Sequence, residues 1–149
     1  MLGLIDAPCL DELYLGLPGE TVVERGGSCS TLTTSQCSRL GEARLSTTDP
    51  YLFDGRQRTA FDKLRSATRT VRFGHDGYAY ARLAAGALDL VVECALKAHD
   101  YNALIPVVRG AGGVIGDWHG HRDFTSGNVI AAATSDLYDA AVAIMRAAT

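Results

Sequence analysis

The sequence predicts an α/β protein in two parts. Residues 1–55 read as short strands punctuated by proline and glycine, the pattern of an antiparallel meander. From Arg56 onward the apolar residues switch to helical spacing, and these helical stretches alternate with short apolar runs. Apolar residues make up 47% of the 149-residue chain and charged residues 21%, enough apolar surface for a packed core and too much for disorder.

In the first part, Leu2–Asp6 is an apolar run followed by a turn at Pro8. Glu12–Leu17 alternates and ends at Pro18-Gly19, and Thr21–Glu24 is short, β-branched and closed by Gly26-Gly27. Residues 28–41, rich in Ser, Thr and Cys, are expected to be loop, with a further strand at Ala43–Ser46 stopped by Asp49-Pro50. In the second part, Ala60, Phe61, Leu64 and Ala67 share one helix face. Val71–Phe73 is a strand, Gly77–Ala85 a helix stopped by Gly86, and Leu88–Glu93 a buried strand with Asp89 inside it. Asp100 opens the next helix, whose apolar face is Ala103, Leu104, Val107, Val108 and Ala111 and whose end is marked by Gly110, Gly112 and Gly113. Val114–Trp118 and Asn128–Ala133 follow as strands. Ser135 then caps a last helix with Leu137, Ala140, Ala141, Ile144, Met145 and Ala148 on one side.

Several classes of function are excluded as expectations. The formal charge is −3, and the 14 Lys and Arg residues are scattered, a poor footprint for nucleic acid or an anionic membrane. No apolar run approaches the ~20 residues of a membrane helix. The N-terminus has neither a basic stretch nor a long apolar one, which points to a cytoplasmic chain without a signal peptide. Cys9, Cys29, Cys37 and Cys94 form no C-x-x-C pair and are read as reduced thiols serving as small buried residues.

The unusual polar residues fall in three places: the Gly74-His75-Asp76-Gly77-Tyr78 turn, Glu93 at a strand end, and His99-Asp100 at a helix start. In open α/β sheets, ligands collect at such strand ends and helix beginnings. Asp100 is either a helix cap or a carboxylate ligand for a hard cation such as magnesium. Asp76 has the same two readings. Glu93 ends an apolar strand, where an unpartnered carboxylate is costly, so it faces a polar cleft or a cation. His75 and His99 stand beside these acids, whereas His119-Gly120-His121 reads as a turn rather than a metal pair.

The stretch GHDGYAYARLAAGALDLVVECALKAHDYNALIPVVRGAGGVIGDWHG, residues 74–120, resembles the C-terminal signature of the inositol monophosphatase superfamily. Glu93 is followed seven residues later by Asp100, then by a helix and by Gly112-Gly113, as in that signature. The GHDGY turn, LKAHDYNALIPVV and the upstream LSTTDPYLF resemble the monophosphatase-like histidinol-phosphatase branch more closely, and LGLIDAPCLDELYLG fits the family's central sheet. The sequence departs from the pattern at Ala98, His99 and Gly77.

The resemblance implies the C-terminal half of a layered αβαβα sugar-phosphatase fold, a mixed sheet with helices and an incomplete first sheet. Residues 1–55 would be the remnant of the central antiparallel sheet and 56–149 the C-terminal α/β subdomain. It further implies a Mg²⁺-dependent phosphomonoesterase, most closely a histidinol-phosphatase of histidine biosynthesis, that hydrolyses a small phosphorylated metabolite with a metal-activated water. Alternatives are another sugar or inositol monophosphatase, and a non-catalytic homologue that binds a ligand or a partner. Asp100 is the implied metal ligand, and Glu93, Asp76, Thr47 and Thr48 the implied substrate-binding residues; no catalytic residue is assigned. The family's Glu-Glu pair and Asp-Pro-(Ile/Leu)-Asp-Gly-Thr motif have no counterpart here. The chain alone is therefore expected to bind Mg²⁺ weakly and to be close to inactive. With Leu2, Leu4, Ile5, Leu15 and Leu17 short of neighbours, it is expected to self-associate or to take up a complementing N-terminal half.

Overall fold

A computed structural model describes residues 1–148 of the chain, without the side chain of Ala148. Two sheets are built in sequence order. The first is a four-stranded antiparallel meander of β1 (Gly3–Ala7), β2 (Glu12–Leu17), β3 (Glu20–Arg25) and β4 (Ser28–Thr31). The fourth strand corrects the expectation of loop from residue 28. Gly26 and Gly27 both take positive φ, which makes the two-residue turn that twists with a hairpin, and Arg25 pairs with Ser28. All four residues of β4 are exposed, so no apolar alternation marked the strand.

The second sheet is mixed, in the order β6 (Thr70–Phe73), β5 (Arg44–Thr47), β7 (Leu90–Glu93), β9 (Val129–Ala132) and β8 (Val114–Gly116). Strand β5 lies parallel to both β6 and β7. Strand β9 runs antiparallel to β7 and to β8. Helix α1 (Gly55–Ala67) crosses over between β5 and β6, and packs with α5 (Ser135–Met145) beside this sheet. There Phe61, Leu64, Leu137, Ala141 and Met145 bury against Leu45, Leu90, Val92 and Ile130. The opposite face, Val91, Val129, Ala131 and Ile115, packs on α2 (Tyr78–Ala84) and α4 (Leu104–Gly110).

Helix α4 is shared by both sheets. On the meander side it approaches backbone to backbone, because the strands offer glycine there. A Cβ on Gly16 would lie 2.4 Å from the Val107 nitrogen, and one on Gly3 would lie 2.2 Å from the Ala103 carbonyl oxygen. The Thr21 hydroxyl donates to the Val107 carbonyl at 2.7 Å and pins the contact. Residues 12, 14 and 16 of β2 are therefore buried, while Leu13, Leu15 and Leu17 are half-buried on the other face. Leu2 and Leu4 remain exposed, at 61% and 46%. Ile5, expected among the residues short of neighbours, packs instead against the α2–α4 layer, because its register partner is the buried Tyr14.

Three caps differ from the sequence reading. The helix around residue 100 starts at Ala98 as α3 (Ala98–Tyr101), so Asp100 occupies its third position rather than opening it. Thr134, not Ser135, caps α5, with its hydroxyl accepting from the Leu137 amide. Gly77 precedes α2, and Asp76 makes no side-chain cap. Of the cysteines, all unpaired, Cys94 is buried and Cys37 half-buried. Cys9 and Cys29 are exposed, contrary to the expected burial, since they fall on a turn and on an edge strand.

Candidate functional site

The carboxyl ends of the parallel strands β5 and β7 lie side by side, with Leu45 opposite Leu90 and Ser46 opposite Val91. Thr47 and Thr48 at the end of β5 therefore meet Glu93 at the end of β7. Glu93 is 3% exposed. One carboxylate oxygen accepts from the Thr48 amide and from the Thr48 hydroxyl, each at 2.8 Å, and the other accepts from the Thr47 hydroxyl at 3.1 Å. Among the described residues no cation pairs with it. Burial pushes its pKa above the ordinary glutamate value; the threonine hydrogen bonds oppose this without reversing it, and the Asp76 charge adds to it.

Glu93 and Thr48 line a cleft of about 380 Å³ together with Asp76, Tyr80, Asp100 and Leu104. Asp76 reaches it from the β6–α2 turn with φ of +48°, in the left-handed region where Asp is among the tolerated residues. Asp100 reaches it from α3. One of its oxygens accepts from the Lys97 amide at 2.8 Å, reaching back over the first turn, and His99 Nε2 stands 3.5 Å from the other. The structure thus brings Thr48, Asp76, Glu93 and Asp100 to one cavity, with Thr47 behind Glu93.

The histidines do not line this cleft. His75 turns back, placing Nδ1 2.9 Å from the hydroxyl of buried Ser46. His119 and His121 flank a turn in which both of their amides donate to one oxygen of Asp117. Cys94, Leu96 and Tyr80 are cleft residues that the sequence reading passed over. The Cys94 thiol is pushed to about 11 by burial and by the Glu93 charge, so it stays protonated near neutral pH and is no nucleophile.

Magnesium demands near-octahedral oxygen coordination. Among the described residues no group of three or more His, Cys, Asp or Glu side chains is placed to hold a metal ion. Asp100 can offer one carboxylate, already engaged by the Lys97 amide. The described residues do not by themselves make a magnesium site.

The chain matches the inositol monophosphatase family over residues 1–149. It belongs to the inositol monophosphatase family. It is 40% identical over 151 residues to the bifunctional phosphatase IMPL2, chloroplastic, of Arabidopsis thaliana, covering 95% of this chain and 43% of that protein. It is 30% identical to a histidinol-phosphatase of Chlorobaculum parvum, covering 91% of this chain and 52% of that one. An inositol monophosphatase from Zymomonas mobilis superposes with a TM-score of 0.89 at 37% identity, covering 98% of this chain and 57% of that chain. The chain thus spans about half the length of the curated relatives it matches. Its mixed α/β architecture of two sheets and packed helices is that of its structural neighbours. The family is one of phosphatases that depend on a metal, typically Mg²⁺. No helix among the described residues is long and apolar enough to cross a membrane.

Proposed function

We propose that this chain is the C-terminal, substrate-binding segment of a Mg²⁺-dependent phosphomonoesterase that acts on histidinol phosphate in histidine biosynthesis, in the cytoplasm. The observation that carries the reading is the convergence of Thr48, Asp76, Glu93 and Asp100 on one cleft at the strand ends. The identity to a histidinol-phosphatase supports the substrate, and the identity to the bifunctional phosphatase IMPL2 supports the phosphatase activity. In this reading Glu93, held by Thr47 and Thr48, and Asp76 receive the polar organic end of the substrate. Asp100 turns toward the phosphate end and contributes one carboxylate to a metal centre whose other ligands come from a complementary segment.

That segment also covers the apolar face of the meander, where Leu2 and Leu4 are exposed. Without it, this face supports self-association. One observation favours a second reading: with no metal-holding group of its own among the described residues, the chain alone is a ligand-binding homologue without catalysis.

Phosphate release in the presence of Mg²⁺ tests both readings. The chain alone stays at background on histidinol phosphate and on inositol phosphate. Mixed with the N-terminal half of a family member, it releases phosphate from histidinol phosphate at least tenfold faster than from inositol phosphate. Restored activity with the opposite preference contradicts the proposed substrate. No activity from any mixture favours the non-catalytic reading.

A further inference from the structure

Tyr80 is unused by the reading above. It sits in α2 with 1% of its surface exposed, and its hydroxyl has no hydrogen-bond partner among the described residues. Buried tyrosine hydroxyls ordinarily find one, because an unpaired polar group in the interior lowers stability. Tyr80 lines the cleft, as do Glu93 and Asp100. Burial and then the negative charges of those two residues push its pKa well above the ordinary tyrosine value. The phenol is therefore neutral at physiological pH. It offers one donor hydrogen and oxygen lone pairs. Yet neither carboxylate takes its proton: Glu93 accepts from the two threonines and Asp100 from the Lys97 amide.

The cleft's charge says what such a hydroxyl can meet. Asp76, Glu93 and Asp100 line it, and among the described residues no Lys, Arg or His side chain does. A lone phosphate is repelled from this surface, whereas a cation is attracted. An ammonium group carries three N–H donors and no acceptor, which complements two carboxylates and a neutral phenol oxygen. We propose that Tyr80 contacts the substrate, forming with Glu93 and Asp76 a subsite for a protonated primary amine. This rests on the reading of the cleft as the substrate site.

The test is titration of the full chain and of Tyr80→Phe with L-histidinol and with its analogue lacking the amine, followed by NMR, together with thermal unfolding of both proteins. L-histidinol binds the wild-type chain more tightly than the analogue does. Tyr80→Phe weakens L-histidinol about tenfold, leaves the analogue unchanged, and unfolds no lower than wild type. Equal binding of L-histidinol to both proteins overturns the Tyr80 assignment and leaves the cleft reading standing. So does a melting point lowered by more than about 4 °C, because the hydroxyl then has a structural partner. If the wild-type chain binds neither probe, the cleft reading fails and the assignment falls with it.

Discussion

Asp89 and Glu93 bracket the same strand, β7, and both are buried, at 1% and 3% exposure. Their surroundings are opposite. Asp89 is gripped by Arg44, whose Nε and Nη2 each donate at 2.7 Å, by the Arg44 amide at 2.8 Å, and by the Ser35 hydroxyl. Burial pushes its pKa up, but the Arg44 and Ser35 hydrogen bonds outweigh that and hold it below the ordinary aspartate value. Glu93 has only neutral donors among the described residues, and burial wins. Asp89 is thus a carboxylate that holds the chain together, whereas Glu93, in the proposed reading, is held for a ligand. At Asp89 the cation is supplied by Arg44, joining the start of β5 to the start of β7. At Glu93, where the same two strands end, no cation among the described residues pairs with the carboxylate, and in the proposed reading a ligand brings one.

Breaking the Asp89 pair has the largest effect on stability. Arg44→Met leaves a buried carboxylate without its counter-charge. Urea denaturation should show a loss of about 2–3 kcal/mol, at or below the usual range for a broken buried pair because the Arg44 side chain is 39% exposed. Glu93→Gln should behave in the reverse sense. It keeps an acceptor for the threonines and removes an unpaired charge, so stability at neutral pH changes by less than about 1 kcal/mol, while L-histidinol binding falls at least tenfold. A loss of stability as large as that of Arg44→Met would show that Glu93 too is structural.

The two acids also pull the pH profile in opposite directions. Asp89, with its folded pKa depressed, contributes stability that is present above the ordinary value of about 3.9 and is lost as pH falls through the lower folded value. Glu93, with its folded pKa raised, contributes stability that is fully present below about 4.3 and is lost as pH rises through the higher folded value. Asp89→Asn should flatten the acid limb of unfolding free energy against pH, and Glu93→Gln the limb above it. Thr48→Val gives a smaller loss of stability than Arg44→Met. It removes one hydroxyl donor while the Thr48 amide remains, costs about 1 kcal/mol, and raises the Glu93 pKa further, as NMR titration of the carboxyl carbon would report.

What was legible in the sequence follows from range. Helical faces such as Ala60, Phe61 and Leu64 repeat within a few residues, and these three are buried together. Glu93 stood out because a carboxylate at the end of an apolar strand needs a reason, and the structure provides Thr47 and Thr48. Those partners lie 46 and 45 residues away, and they were named through the family resemblance rather than through any local pattern. The Arg44–Asp89 pair, equally distant, was not anticipated, since nothing local marks one arginine among twelve. Tyr80 was read as part of an Ala-rich helix, because tyrosine at such a position is ordinarily core, and only its unpaired hydroxyl distinguishes it. Asp100 was placed two residues too early in its helix, because a third-position acid reaching back to the Lys97 amide resembles a cap in sequence.

The central claim is that the Thr48–Asp76–Glu93–Asp100 cleft receives the substrate. The most direct measurement is the map of backbone amide shifts as histidinol phosphate is titrated into the ¹⁵N-labelled chain. Shifts concentrated at residues 47–48, 76–80 and 93–100 are the predicted result. Shifts gathered instead at the apolar pocket between Leu17, Pro106 and Phe124, or no saturable shifts at all, would contradict the account.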